Sequence, residues 1–451
     1  MTSSVPDAGM RIQAALDALS AQGVHSVLAQ FVDLHGVAKG KLVPLAQLPE
    51  WVETGAGFAG PSIWGTGLGR YGPRSEYYGR VQVESLRPLP FMPGVAHAVC
   101  DGFAGGRALD TCSRQLLKAQ LQRLRQRGWT LWVGIEPEFF LLKLSGDGDW
   151  RPADAQDQLD KPSYDLKAIY RNREFLEDMR QNLTALGFDL QQIDHEDACG
   201  QYEINYRFDE ALAAADRFIL FKMTAHAVAQ RHGMVFSCMP KPLAHAPGSG
   251  LHFHLSITDA QGRAVFTDRN DPLSLSPDGY RFVAGLLHHA DGLSALCAPT
   301  VNSYKRLASS NSASGTTWSP VWKSYGDNNR TCVVRTVDGR LEWRLPDPSC
   351  NVYAAIAATL AAGLNGVDQG LACPPACTVD LYQQQAAGQP MPARLPRDLQ
   401  AAIQALAADQ TLTEAVGAAF CAEFIRLKQR EWDDYHQTVT AWEMRRYADA
   451  F

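Results

Sequence analysis

The sequence predicts an α+β protein, with a small strand-rich N-terminal unit followed by a larger one in which strands and helices alternate irregularly. Two observations carry this. Three segments alternate apolar and polar residues with the period of a strand, and amphipathic helical patterns near Ala168–Leu186, Ala211–His232 and Ala354–Leu364 fall between and after them without an internal repeat. The first segment, Gly134–Leu142, reads Gly-Ile-Glu-Pro-Glu-Phe-Phe-Leu-Leu, so Glu136 and Glu138 point to one strand face. Like charges on one buried face repel and require a proton, a basic partner or a metal. A half-exposed strand with solvated glutamates explains that segment alone equally well. The other two change the balance: Leu251–Leu255 sets His252 and His254 on one face, and Arg340–Leu345 sets Arg340, Glu342 and Arg344 opposite Leu341, Trp343 and Leu345. Together the three strands describe one lined cavity.

In chain order, residues 1–20 hold a small, polar and disordered leader of nine residues and a short helix with Ile12, Leu16 and Leu19 on one face. Residues 21–108 form the small unit. Val24–Leu34 and Val37–Val43 read as a hairpin turning at His35-Gly36, the glycine- and proline-dense Gly55–Gly79 as an irregular loop, and Val81 and Ala96–Cys100 as strands. A boundary follows at Gly106–Asp110. Residues 109–451 form the large unit, opening with a helix capped by Asp110 or Thr111 that carries Leu116, Leu117, Leu121 and Leu124 and stops at Gly128. The tail, Asp398–Ala448, reads as helical, with Glu431-Trp432 and Trp442-Glu443 packing against a neighbour or forming a solvated face with core aromatics.

Totals exclude several classes. The chain has 451 residues and a formal charge of -6, which gives no electrostatic reason for nucleic-acid binding. Its apolar runs are shorter than a bilayer span, and no basic start precedes an apolar stretch, so the expectation is a cytoplasmic protein without a membrane. Ten cysteines lack metal-ligand spacing, Cys373 and Cys377 being an isolated pair, and are read as reduced thiols.

The chemistry gathers around carboxylates. Ile193-Asp-His-Glu-Asp197 and Gly200-Gln-Tyr-Glu203 add Glu196 and Glu203 to Glu136, Glu138, Glu342 and His252. Oxygen-rich sets with one imidazole suit Mg2+ or Mn2+, and six such ligands suffice for two sites. Arg306, Arg330, Arg335 and Arg344 then read as forks for carboxylate and phosphate oxygens, or as structural partners of the same glutamates. Divalent metals beside arginines, without a Walker glycine loop, point to phosphoryl transfer from a nucleotide.

These motifs, in this order, together with Met-Pro-Lys-Pro from Met239, Gly-Ser-Gly-Leu-His-Phe-His from Gly248, Asn-Ser-Tyr-Lys-Arg from Asn302 and Arg-Leu-Glu-Trp-Arg-Leu-Pro-Asp-Pro from Arg340, resemble the glutamine synthetase superfamily from about Val24 to the C-terminus. The resemblance implies an N-terminal β-grasp domain, a catalytic domain on a curved antiparallel sheet, and a homo-oligomeric ring, a dodecamer, with shared active sites. It implies Glu138, Glu196 and Glu203 around one metal and Glu136, His252 and Glu342 around the other. It places His254 and Arg335 on the ATP phosphates with Arg330, Phe208 and Ser256 by the nucleoside, and Glu138, Gly248, Arg306 and Arg344 on glutamate, with Arg306, Arg330 and Arg344 assisting the chemistry. The implied reaction phosphorylates the glutamate side chain from ATP and then displaces phosphate with an amine.

Departures from the pattern bear on the amine. Ammonia-using members carry an aspartate in Phe-Asp-Gly-Ser-Ser and a flap glutamate; here Phe58-Ala-Gly-Pro-Ser62 puts Ala59 at the first, and the flap Leu307–Pro320 has no carboxylate. Pro247 replaces a glutamate-contacting asparagine. Gly55–Gly60, Lys161–Asp165 and Thr317–Pro320 look like the type III-like branch with the γ-glutamylmethylamide synthetases, where a methyl group would find apolar wall in Phe58, Ile63, Trp64 or Trp318. Tyr382, near the position of a regulatory tyrosine in some members, reads as an exposed structural residue. Rival readings are a glutamine synthetase using ammonia, a non-catalytic glutamate or nucleotide sensor, and a guanidino kinase, which gives no reason for the Asp-His-Glu-Asp and His-Phe-His motifs.

Overall fold

The computed structural model describes residues 8–72, 75–146, 148–308 and 318–451. Most of the polar leader and the flap residues 309–317 lie outside them, and the first helix, Ala8–Ala21, already includes Ala8 and Gly9.

Seven strands form the first sheet: β1 (Ser26–Val32), β2 (Ala38–Pro44), β3 (Ala56–Ala59), β4 (Glu76–Val81), β5 (Arg87–Pro88), β6 (Val95–Ala104) and β7 (Arg107–Ala108), in the order β2-β1-β6-β4-β3 with β5 and β7 on β6. The hairpin β1–β2 is antiparallel and β1 runs parallel to β6. The stretch from Gly55 to Gly79, expected as irregular loop, contributes β3 and most of β4, paired from Ala56↔Gly79 to Ala59↔Glu76. Aromatic packing overrides its loop-like composition: Phe31 lies 4.9 Å from Phe58 and 4.5 Å from Tyr77, ring centre to ring centre.

Ten strands form the second sheet: β8 (Thr130–Leu144), β9 (Trp150–Pro152), β10 (Leu190–His195), β11 (Gln201–Tyr206), β12 (Asp209–Glu210), β13 (Val235–Ser237), β14 (Leu251–Thr258), β15 (Tyr325–Asp327), β16 (Val334–Val337) and β17 (Arg340–Trp343). The main path is β10-β11-β8-β14-β17-β16-β15, with β9, β12 and β13 on β8. Its pairings are antiparallel except β15–β16, which is parallel. Apolar side chains of β8, β14 and β17 pack into one large core with the buried helix Val352–Gln369, longer at both ends than its expected span.

Two helix boundaries differ from expectation. The helix Ser113–Gln126 begins after Cys112, because the Thr111 hydroxyl is committed to the Thr66 carbonyl, 3.2 Å away. The expected helix 168–186 is two helices, Leu166–Arg171 and Arg173–Ala185, broken at Asn172, whose amide donates to Tyr202 Oη at 2.8 Å and Ala168 O at 3.0 Å. Arg114 joins the two sheets' units, donating to Asp101 of β6 and, at 2.9 and 2.8 Å, to Asp216 of the helix Ala211–Arg231. In the tail, Glu431 and Trp432 serve their own chain, Glu431 accepting from Val301 N at 3.1 Å and Trp432 half-buried against the main core, whereas Trp442 is exposed. No described helix is long and apolar enough to cross a membrane.

Candidate active site

Register across the second sheet assembles the site. Glu138 of β8 faces Glu203 of β11, Glu136 faces His252 of β14, and the row Gly134, His254, Glu342, Arg335 crosses β8, β14, β17 and β16. Glu136 accepts from His252 Nδ1 at 2.8 Å and from His254 Nε2 at 2.9 Å, and His252 Nδ1 lies 3.5 Å from Glu342. The donor atoms of Glu136, His254 and Glu342 all lie within 4.8 Å of one another, the one such triad among the described residues. Glu342, almost fully buried, also takes Arg335 Nη1 at 2.6 Å and Arg344 Nη1. Burial pushes both glutamates up, but the histidines hold Glu136 well below the carboxylate range, and Arg344, His252 and His254 bring Glu342 to about 2.

The second carboxylate group behaves oppositely. Burial, then repulsion from Glu138, pushes Glu196 up to about 8, and burial with repulsion from Glu136, Glu196 and Glu138 pushes Glu203 up to about 11. Glu138 is tied by Gly250 N–H at 2.9 Å and Gln201 Nε2 at 3.1 Å, and Glu203 by Asn205 Nδ2 at 2.6 Å, all neutral donors. Apart from His252 Nε2, 3.8 Å from Glu138, no basic side chain among the described residues comes within ion-pair distance of this oxygen set, and a hard divalent cation fits it, as one fits the triad.

A small cavity opens beside these groups, lined by Glu138, Glu196, Gly248, Arg306, Trp318 and Arg344 among others. Arg306, at the end of the short helix Ser303–Arg306, is buried and donates to Leu345 O and Arg344 O, each at 3.0 Å; burial lowers its pKa. Gly248 must be glycine here, because a Cβ would meet Pro240 O at 2.3 Å, and a Cβ on Gly250 would displace the His252 ring, meeting Nε2 at 2.5 Å. On the far side of the His254 row, Phe208 is exposed and lies edge-on to Trp132 at 5.9 Å, while Ser256 pairs with Trp132 across β14 and β8.

Some expected residues stand apart. Arg330 is exposed on the turn after β15, and Arg340, although in phase with Glu342 and Arg344, is exposed at the outer end of β17. Within the chain, Phe58 and Ile63 pack against the N-terminal core and exposed Trp64 lies against His35; of the four proposed apolar walls, Trp318 lines the cavity. Tyr382 is half-buried, not exposed, because its hydroxyl donates to Ser319 O at 2.6 Å and its ring packs on Trp322.

A glutamine synthetase catalytic-domain family model matches residues 110–447. The chain belongs to the glutamine synthetase family. Its relatives include the glutamate–methylamine ligase of Methyloversatilis universalis, 45% identical over 95% of this chain and 97% of that one. A glutamine synthetase of Rhizobium leguminosarum bv. phaseoli is 35% identical over 92% of this chain and 94% of its own. Among solved structures, a GmaS/ADP complex superposes with a TM-score of 0.90 at 39% identity, covering 97% of this chain and 99% of the other, and ligand-free GmaS with 0.89 at 38%, covering 96% and 99%. The chain therefore has the glutamine synthetase fold, and members of this family use ATP and divalent metals.

Asp197, Gln201 and Lys241 of this glutamine synthetase relative lie within the family motifs but carry no role on sequence grounds. All three line the cavity; Lys241, whose pKa burial lowers, is positioned by Asn302 Oδ1 accepting its backbone N–H at 2.7 Å. The signal was available for Gln201, two residues before Glu203 on one strand face. For Asp197 and Lys241, both in loops, no periodicity pointed inward.

Proposed function

We propose that this protein is an ATP-dependent ligase that joins glutamate to a small alkylamine, methylamine in the first instance, forming ADP, phosphate and a γ-glutamyl amide. The carrying observation is the cross-strand row of carboxylates, histidines and arginines beside a small cavity walled by Trp318, in a chain that has Ala59 where ammonia users have aspartate. Similarity to a glutamate–methylamine ligase over nearly the whole chain supports the amine.

In this reading Arg306 and Arg344 grip glutamate with Gly248 and Glu138, aligning its side-chain carboxylate for transfer of the γ-phosphoryl group. Arg335 and Arg330 meet phosphate charge, His254 approaches the phosphates, and Phe208 and Ser256 border the nucleoside. Two metals, Mg2+ or Mn2+, fit Glu138 with Glu196 and Glu203, and Glu136 with His252 or His254 and Glu342. Bound there, they neutralise charge on the transferring phosphoryl group. The phosphoryl passes to the carboxylate with loss of ADP, and the amine nitrogen then attacks the acyl carbon and expels phosphate. Fixed donors and buried walls keep water from the acyl phosphate.

The same reading takes the protein as cytoplasmic, where its ten free thiols stay reduced, and as a ring, a dodecamer, whose contacts use exposed C-terminal side chains such as Trp442, Met444 and Tyr447. The function is tested by glutamate-dependent phosphate release with Mg2+ and ATP against ammonium, methylamine, ethylamine, ethanolamine and putrescine, with product masses. Efficient turnover of methylamine and poor turnover of ammonium is expected; preference for ammonium returns the chain to the glutamine synthetases. Light scattering of the purified protein checks the ring.

A further inference from the structure

Asp197 stands where two cavities meet. It lines the small inner cavity with Glu196, Arg306 and Arg344, and also an open outer cavity of about 830 Å³ whose wall carries Arg151 and His245 besides four further aspartates, two of them paired, Asp154 with Arg171 and buried Asp157 with His195; Pro247 likewise borders both. Its carboxylate is held at both oxygens by neutral donors: Ser163 Oγ on Oδ1 and the Trp318 indole N–H on Oδ2. Among the described residues no lysine, arginine or histidine side chain forms an ion pair with it. Both donors are themselves placed by the site. Trp318 O accepts from Arg344 Nη2 at 3.3 Å and Ser319 Oγ donates to Arg306 O at 2.5 Å, while Tyr164, at φ 64°, fixes the Ser163 segment through its N–H to His195 O at 2.9 Å.

We propose that Asp197, oriented by Ser163 and Trp318, is the amine-binding carboxylate: it receives the alkylammonium from the open outer cavity and holds it against the Trp318 ring at the mouth of the glutamate pocket. The inference rests on the ligase reading and deepens it. An alkylammonium needs an anion for its N–H groups and a polarisable apolar surface for its carbon, and an aromatic ring beside a carboxylate supplies both. One donor sits on each oxygen, so further acceptor sites of the carboxylate remain for the N–H groups of a substrate, and the open outer cavity gives a small cation a route to them. The device stands on the catalytic unit itself, in a chain lacking the aspartate at Ala59.

The test compares wild type with Asp197→Asn and Trp318→Phe, as full-length protein with Mg2+, ATP and glutamate, using methylamine and hydroxylamine as alternative acceptors. Methylamine is a cation at neutral pH, whereas hydroxylamine is largely uncharged. Asp197→Asn is expected to raise the KM for methylamine at least tenfold, with the KM for glutamate and the formation of γ-glutamyl hydroxamate each changing less than threefold. Trp318→Phe, which keeps a ring but loses the N–H, shifts the methylamine KM in the same direction by less. An unchanged methylamine KM overturns the proposal, and so does an equal loss with both acceptors, which marks Asp197 as a structural support of the Glu196 loop. The ligase reading is judged separately, on the wild type alone. If wild type prefers ammonium, the methylamine reading falls, and the Asp197→Asn effect on the ammonium KM then decides this proposal by the same criterion; if wild type forms no amide with any amine, both fall.

Discussion

Removing the metals and counting protons tests the carboxylate cluster most sharply. Glu196, pushed up to about 8, and Glu203, pushed up to about 11, are both protonated at pH 7. A divalent cation binds the ionised forms, so titrating Mg2+ into metal-free protein at pH 7 displaces about 1 to 2 protons from Glu196 and Glu203 together. The Glu136 and Glu342 carboxyls, held below the usual range by histidine and arginine, release none, so any further proton comes from the imidazole that ligates the second metal. Apparent metal affinity therefore rises with pH, by at most about a hundredfold per unit while both carboxyls are protonated and about tenfold per unit once Glu196 has ionised. Folding carries the same linkage. A carboxylate raised in the folded state binds more protons there than when unfolded, so its contribution is full below the unfolded pKa and is lost as pH climbs through 8 and then 11. Metal-free protein should lose stability over that window, and saturating Mg2+ should suppress the loss. Calorimetric titration in two buffers of different ionisation heat gives the proton count directly, and Glu203→Gln should release about 1 fewer. Heats independent of buffer would refute the electrostatic account of this cluster.

Other outcomes follow from the same geometry. Replacing Arg114 by Met leaves Asp101 with Lys118 and Asp216 with Tyr353 Oη, and should cost about 1.5–3 kcal/mol in denaturant unfolding, the range for losing hydrogen bonds to charged groups whose charges keep other partners. Gly248→Ala drives a Cβ into Pro240 O; it should cost about 1–3 kcal/mol and raise the KM for glutamate more than that for ATP, measured by phosphate release. Phe208→Ala removes the exposed ring beside Trp132 and should weaken ADP binding by about 2- to 10-fold in calorimetry, leaving the melting temperature nearly unchanged.

Alternation along a strand is a local property, so the shared faces of Glu136 with Glu138, of His252 with His254, and of Glu342 with Arg344 were legible from residue order alone. Membership of the ordered motif set was equally legible, and with it the fold. Register is not local. That Glu138 meets Glu203, that His254 meets Glu342, and that Arg340 falls outside while Arg344 falls inside depend on which strands pair and where each ends. The same limit explains the two strands found inside the glycine-rich stretch, where Phe31 decides what Phe58 and Tyr77 do, and the helix broken at Asn172 by a hydroxyl from Tyr202. Asp197 is the clearest case: its neighbours in sequence mark it as one more acid beside Glu196, and its orientation at the junction of two cavities is set by Trp318, distant in the chain. Sequence by itself determined which residue types the site holds and which side of each strand they take; tertiary structure decided which of them share a charge environment, because repulsion and hydrogen bonding act over a few ångströms of space and not along the chain.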